Sequence, residues 1–318
     1  MKNLYHVSAS PHVRSSVTTA DIMRDVVIAL APACLFGIVQ FGFRALLVLL
    51  VSVTSCVVSE YLCYTFAKRK NGPYECSAVV TGLLIGMNLP AGIPLWMPVL
   101  GGAFAIIVVK ELYGGLGQNF MNPALAARCF LLICFASQMA SFAVEKGSGV
   151  FMNGIASVDG LSSATPLAVL KEGAGETSLF DMFFGFTGGV IGETSALLLL
   201  LGGVYLVLRG VISLRIPLAY FGSFAVFILL FGGHGFDLTY LAKQLCGGGL
   251  MLGAFFMATD YVTSPVTPAG RIVFGICLGI LTGIFRIFGG SAEGVSYAII
   301  FCNLLVPLIE KVTMPRAF

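Results

Sequence analysis

One segment of the chain combines hydroxyl side chains with the signal that starts a helix. Residues 159–167 read Asp-Gly-Leu-Ser-Ser-Ala-Thr-Pro-Leu, and the apolar residues that follow have helical spacing. Because proline suits the first turn of a helix, we predict a helix that begins at Pro166, with Thr165 as its N-cap. Such an N-terminus offers free N–H groups and a positive dipole end to a phosphate. The residues alone leave two interpretations open, a phosphate-bearing Thr165 and an ordinary cap on a short surface helix.

A second segment, residues 114–123, reads Gly-Gly-Leu-Gly-Gln-Asn-Phe-Met-Asn-Pro. Its glycines allow a ligand to approach the backbone closely. Gln118, Asn119 and Asn122 supply amide donors and acceptors that suit a uracil-like ring edge. The alternative is a turn between two helices, in which these amides cap helix ends. The sequence does not decide between a ligand site and a structural turn.

Several ionisable residues lie in or next to apolar runs, where a charge is costly and therefore often functional. We select Glu60, Glu193 and Asp260 as candidates for an ion path. The alternative explanation is that these side chains extend from the helix ends to the membrane surface, which is called snorkelling. The same alternative applies to the other ionisable residues in or next to the apolar runs. These are Lys110, Glu111, Arg128, Arg286 and Glu293.

The cysteines and histidines do not form a recognisable metal or catalytic motif. The chain has nine cysteines without a C-x-x-C pair, and His6, His12 and His234 are scattered. We interpret the cysteines as packing residues of membrane helices, with an iron–sulfur cluster shared with a neighbouring subunit as the alternative. A dinucleotide fingerprint is also missing, so we expect no NAD site and no catalytic residue in this chain.

The composition is that of a membrane protein. Of 318 residues, 58% are hydrophobic and only 10% are charged, whereas soluble domains have about 25% charged residues. The formal net charge of +3 is too small to suggest a nucleic-acid partner. The first 20 residues are polar, and we expect them to be retained rather than removed as a signal peptide.

The apolar runs predict an all-α polytopic membrane protein with about ten spans. The third and eighth runs are short and rich in glycine, as expected of broken helices. The predicted spans lie near residues 24–42, 45–66, 77–90, 95–113, 122–143, 188–208, 212–232, 246–258, 270–288 and 295–310.

Two pairs of motifs indicate an internal duplication. The segment 82–86, GLLIG, has a counterpart at 249–253, GLMLG, and ELYGG at 111–115 resembles RIFGG at 286–290. Five spans in each half predict an inverted repeat, with chance similarity of glycine-rich runs as the alternative. The predicted organisation is an N-terminal segment, a first repeat, an extracytoplasmic loop, a second repeat and a tail, at residues 1–23, 24–143, 144–187, 188–312 and 313–318.

Lysine and arginine predict the orientation of the chain. With both termini in the cytoplasm, the outer segments hold only Arg44, Lys146, Lys171, Lys243 and Arg286. The inner segments hold the larger set, namely Lys2, Arg14, Arg24, Lys68, Arg69, Lys70, Lys110, Arg209, Arg215, Arg271, Lys311 and Arg316. The loop 144–187 is therefore predicted to lie outside the cytoplasm.

These features resemble one known family. The pattern D-G-x-S-x-A-T at 159–165 is similar to the signal at which a flavin transferase links FMN to threonine. KELYGGLGQNFMNPAL at 110–125, MATDYVTSP at 257–265 and FGGSAEGVSYAI at 288–299 are similar to segments of the same family. Its members are the D subunits of Rnf ion-translocating electron-transport complexes and the B subunits of sodium-translocating NADH:quinone reductases. The resemblance covers nearly the whole chain.

The resemblance implies a covalent FMN on Thr165, with Asp159, Ser162, Ser163 and Ala164 as the attachment motif. It also implies a noncovalent riboflavin, which we place near Gln118, Asn119 and Asn122. The implied function is electron transfer from ferredoxin to NAD⁺, coupled to Na⁺ or H⁺ transport across a prokaryotic cell membrane. The implied partners are a second covalent-flavin subunit, iron–sulfur membrane subunits and a flavin transferase. A transporter or channel for a small neutral solute is the rival interpretation of the repeat.

Overall fold

The computed structural model describes residues 17–67, 76–140, 165–172, 178–233, 235–290 and 294–314. Within these residues the regular structure is helical, and the β-type pairing is one isolated antiparallel bridge between Pro90 and Val190. The prediction of an all-α chain is confirmed. Asp159, Ser162, Ser163 and Ala164 lie outside the described residues.

The described residues of the first half form six helices. Two of them are long, and the fourth changes from α-helical to π-helical geometry at Phe104. Their bounds are α1 Thr19–Phe41, α2 Phe43–Phe66, α3 Ser77–Met87, α4 Trp96–Ala103 with its π-helical continuation Phe104–Glu111, α5 Pro123–Cys134 and α6 Ala136–Met139.

From Thr165 onward, the part of the chain that the structure describes forms eight helices. It begins with two short ones and again includes a helix with a π-helical continuation. Their bounds are α7 Pro166–Glu172, α8 Leu179–Phe184, α9 Ala196–Leu208, α10 Arg215–Phe231, α11 Leu238–Cys246, α12 Leu250–Leu252 continuing as Gly253–Met257, α13 Pro268–Phe288 and α14 Val295–Thr313.

Four helices of the described chain, α1, α2, α13 and α14, are long and apolar enough to cross a membrane. Four shorter apolar helices, α3, α5, α9 and α10, accompany them. Large apolar side chains such as Leu35, Val58 and Leu218 are more than half exposed on these helices. A water-soluble monomer rarely exposes so many, whereas lipid or partner subunits cover them in a multi-pass membrane protein.

Every predicted span coincides with helical structure, but several spans are shorter than the sequence suggested. The fifth run stops at Phe135, where the backbone leaves helical geometry, and α9 begins only at Ala196. The third run gives an 11-residue helix. The sequence also missed α8 and α11, because α11 is amphipathic and so lacks a continuous apolar run.

The helices pack into one connected core. Leu30, Ile85, Leu125, Phe224 and Ile299, from both halves of the chain, are fully buried members of it. The main contacts within the halves join α2 to α3 and α4, and α10 to α13. The halves meet where α1 packs on α9 and α5 packs on α14. The bridge between Pro90 and Val190 adds a loop-to-loop contact between them.

Candidate functional site

Thr165 lies at the start of α7, as the sequence predicted. Its Oγ1 accepts a hydrogen bond from the N–H of Ala168 at 3.3 Å, which is an N-cap contact. Leu167 is buried against Gly248, and the Lys171 ammonium donates to the carbonyl oxygen of Gly289. The helix that begins after Thr165 is therefore docked on the second half of the protein.

Thr165 opens into a cavity with about 370 Å³ of space unoccupied by atoms, its mouth included. We call it the Thr165 cavity. Much of its wall is backbone, because glycines from two different segments face it. Its lining residues include Thr165, Gly188, Gly189, Glu193, Gly247 and Gly248. Thr165 therefore borders a small cavity that is open at its mouth.

Glu193, on the wall of the Thr165 cavity, is the acidic partner of a buried ion pair. Its Oε1 lies 3.0 Å from Nη1 of Arg128 on α5, and both side chains are less than a tenth exposed. The same Nη1 donates to Oδ1 of Asn88, at the C-terminus of α3, at 2.5 Å. Asn88 in turn donates to the carbonyl oxygen of Leu84 at 2.6 Å. The sequence selected Glu193 but missed its pairing with Arg128, which only the fold brings within reach.

A second, larger cavity lies between the halves and holds about 790 Å³ of space unoccupied by atoms, its mouth included. We call it the Asn122 cavity. Both π-helical segments contribute to its wall, Lys110 from the first and Phe255 and Phe256 from the second. Such segments are frequent at functional sites.

The three amide side chains of the 114–123 segment differ in burial and in their contacts. Asn122 is buried, caps α5 by accepting from Ala124 and Leu125, and donates to the carbonyl oxygen of Met257 at 3.3 Å. Asn119 is buried on the cavity wall, whereas Gln118 is exposed and outside the lining. The helix-capping interpretation is therefore correct for Asn122, although Asn122 also faces the cavity.

Asp260 also lines the Asn122 cavity. It lies in the connection between α12 and α13, where its carboxylate accepts from the Thr263 hydroxyl at 3.2 Å and from the Val262 N–H at 3.5 Å. Loss of hydration raises the pKa of this carboxyl, against the opposing effect of those hydrogen bonds. The sequence marked Asp260 for an ion path and gave no sign that it shares a cavity with Asn119 and Asn122.

Glu60 on α2 forms a buried ion pair with Lys110. The buried Lys110 ammonium donates to its carboxylate and, at 2.7 Å, to the hydroxyl of Ser77. Lys110 and Ser77 line the Asn122 cavity. The three predicted ion-path residues are thus divided between the cavities, with Glu193 at one, Asp260 at the other and Glu60 behind the second.

The two cavities lie at opposite ends of α9. Thr194, just before the helix, lines the Thr165 cavity, and Leu206, in its last turn, lines the Asn122 cavity. At 1.5 Å per residue these positions are roughly 18 Å apart along the axis. A hydrocarbon core is roughly 30 Å thick. The distance between these two residues along α9 is thus considerably shorter than the thickness of the hydrocarbon core.

The fold defines the class of protein, a multi-pass α-helical membrane protein, and a cavity lies at each end of α9. Among the described residues no group of three or more His, Cys, Asp or Glu side chains could hold a metal. The chain belongs to the family described as "NQR2, RnfD, RnfE family", which matches residues 6–318.

Named relatives match the chain along nearly its whole length. The D subunit of the Na⁺-translocating ferredoxin:NAD⁺ oxidoreductase complex of Acetobacterium woodii is 46% identical, covering 98% of this chain and 94% of the relative. The D subunit of the proton-translocating ferredoxin:NAD⁺ oxidoreductase complex of Clostridium ljungdahlii is 40% identical, covering 100% and 97%. The D subunit of the ion-translocating oxidoreductase complex of Halorhodospira halophila is 36% identical, covering 98% and 94%.

Proposed function

We propose that this chain is the D subunit of an ion-translocating ferredoxin:NAD⁺ oxidoreductase complex in a prokaryotic cell membrane. The observation that carries the proposal is its similarity, from end to end, to relatives that are named as this subunit. Those two names differ in the transported ion, one giving Na⁺ and the other a proton, so the proposal covers Na⁺ or H⁺. The chain acts as one part of the translocase and binds no NAD itself.

In this proposal Thr165 carries FMN through a phosphoester. The residues present fit the group, because Thr165 borders an open-mouthed cavity and no atom lies within 4 Å of a Cβ placed at Gly189 on its wall. FMN would supply one-electron redox chemistry, and the protein supplies its position and electrostatic environment. Leu167 and Lys171 fix the attachment helix, so the cofactor would be held at a defined distance from the membrane helices.

The Asn122 cavity is the proposed site of a noncovalent riboflavin. Asn119 and Asn122 offer amides and Asp260 offers a carboxyl to the polar ring edge, while Phe255 and Phe256 supply an apolar wall. Gln118 is exposed, and we therefore assign it no contact with the ring.

The proposed architecture is a five-plus-five inverted repeat with cytoplasmic termini. The packing of α2 on α4 corresponds to that of α10 on α13, and α1–α9 and α5–α14 are contacts between equivalent helices. This correspondence supports the repeat. The Thr165 cavity then faces the outside and the Asn122 cavity the cytoplasm, so electrons received from iron–sulfur subunits cross this chain to a second covalent-flavin subunit.

The test is the flavin content of the isolated chain. After complete denaturation and electrophoresis of the purified complex, we expect flavin fluorescence in the band of this chain and release of free riboflavin before electrophoresis. A dark band from cells that contain the flavin transferase would contradict the covalent FMN. Together with uptake of a small neutral solute into vesicles, it would favour the transporter interpretation.

A further inference from the structure

Glu193 and Arg128 form a buried ion pair at the wall of the Thr165 cavity. Glu193 lines the cavity, and Arg128 lies behind it. Removing a carboxylate and a guanidinium from water is costly, and such a pair is a weak source of stability. Its presence inside a membrane protein therefore makes it a candidate for a role in function.

The position of the carboxylate is fixed from several sides. Arg128 holds Oε1 at 3.0 Å, and Arg128 itself is held by Asn88 at 2.5 Å. A Cβ added at Gly249 would overlap the same Oε1 atom. Gly249 also has a φ of 66°, which a residue with a side chain rarely adopts. The turn at residues 247–249 therefore packs directly on the Glu193 carboxylate.

The charges around the Thr165 cavity differ in how close they lie to its interior. Glu193 is a lining residue, Arg128 lies behind it, and Arg286 lies behind Gly248, its Nη2 atom 2.9 Å from the place of a Cβ at that glycine. Arg286 is fixed by the carbonyl oxygens of Gln244, Gly247 and Gly248. A negative charge added in the cavity would thus be repelled by Glu193 and attracted by two arginines.

We propose that the Glu193–Arg128 pair sets the redox midpoint potential of the flavin bound to Thr165. This inference rests on the proposed covalent FMN. Each electron added to the flavin makes the cavity more negative, so Glu193 lowers the potential and Arg128 raises it. Both act through a low-dielectric interior, where charges interact more strongly than in water. The pair acts on the flavin through its charge, and neither residue is catalytic.

The experiment is a spectroelectrochemical titration of the Thr165 flavin in the purified complex. We expect Glu193→Gln to raise the midpoint potential, because it removes a negative charge from the cavity wall. Arg128→Gln should lower it, and the double variant should lie between wild type and Glu193→Gln, because the negative charge that it removes is nearer to the cavity than the positive one. Arg128→Lys, which retains the charge but not the fork of hydrogen bonds, should stay near wild type.

The control is a second arginine–carboxylate pair, between Arg209, directly after α9, and Asp25 on α1. Arg209→Gln should leave the potential unchanged. If Arg128→Gln does not assemble, Glu193→Gln and the double variant still decide the question, because both avoid an unpaired buried carboxylate. Equal potentials in wild type, Glu193→Gln and the double variant would overturn the inference. A wild-type band without covalent flavin would instead overturn the proposed function.

Discussion

At the scale of single residues, the position of Thr165 is set by the residues that follow it. Pro166 starts the helix, Leu167 is buried against the 247–248 turn, and Lys171 reaches the end of α13. The proline and the spacing made this helix predictable from sequence. The partner of Lys171 was not predictable, because Gly289 lies more than a hundred positions further along the chain.

Thr165→Ala should abolish the covalent flavin and leave membrane insertion intact. It removes the attachment oxygen and an N-cap worth about 1 kcal/mol. Thr165→Ser keeps the hydroxyl and should retain the flavin. Thr187→Ala changes another threonine on the wall of the same cavity and should also retain it. In-gel fluorescence of the three variants is the measurement, and a fluorescent Thr165→Ala band would show that another residue carries the cofactor.

Asp260 should make riboflavin binding sensitive to pH. Burial raises the pKa of this carboxyl, so the neutral form, which can donate a hydrogen bond to a flavin carbonyl, persists to higher pH than in an exposed aspartate. As the pH rises through the raised pKa, ionisation removes that donor, and riboflavin occupancy should fall. Asp260→Asn is neutral and a donor at every pH, and its occupancy should be flat. Equilibrium binding of riboflavin across a pH series distinguishes the two, and parallel curves would contradict the assignment.

At the scale of helices, glycine decides how closely the spans approach. The Cβ of an alanine at Gly82 on α3 would lie 2.6 Å from the Cα atom of Val53 on α2. The neighbouring atom belongs to the backbone, so the helices themselves would have to separate. Small residues serve the same purpose at helix contacts throughout membrane proteins.

Gly82→Ala should therefore destabilise the protein by about 1–3 kcal/mol, the usual cost of overpacking a close contact. Gly222→Ala is the matched control, because that glycine is exposed on α10 with no atom within 4 Å of the added Cβ. It should be neutral or slightly stabilising, since alanine favours a helix over glycine by up to about 1 kcal/mol. Thermal unfolding midpoints in detergent provide the comparison, and equal midpoints would rule out the close-contact argument.

Apolar runs located the long helices well because hydrophobicity alone identifies a span. They failed for elements whose position does not depend on a continuous apolar run. The amphipathic α11 has Lys243 and Gln244 among its apolar residues, and the chain leaves helical geometry at Phe135 without a proline or glycine there. Likewise, Asn119 and Asn122 were predicted site residues. Their meeting with Asp260 depends on how the halves pack, which no local pattern encodes.

At the scale of the whole molecule, the proposed orientation can be tested with single cysteines in a cysteine-free background. Ser178 is exposed just before α8, and Gln118 is exposed in the 114–123 segment. An impermeant thiol reagent added to intact cells should label Ser178→Cys and leave Gln118→Cys unlabelled. Opening the cells should make Gln118→Cys reactive. The opposite pattern would reverse the topology and exchange the sides of the two cavities.

The pairing of Arg128 with Glu193 has a consequence for biosynthesis. The two residues are 65 positions apart, so α5 leaves the ribosome well before its counter-ion exists. At about 5–20 residues per second, the delay is roughly 3–13 s. During that time the nascent first half contains a guanidinium that hydrocarbon does not solvate. Either α5 waits at the membrane surface until the second half arrives, or the insertion machinery shields the charge. We therefore expect integration of this helix to be completed only after the chain has passed Glu193.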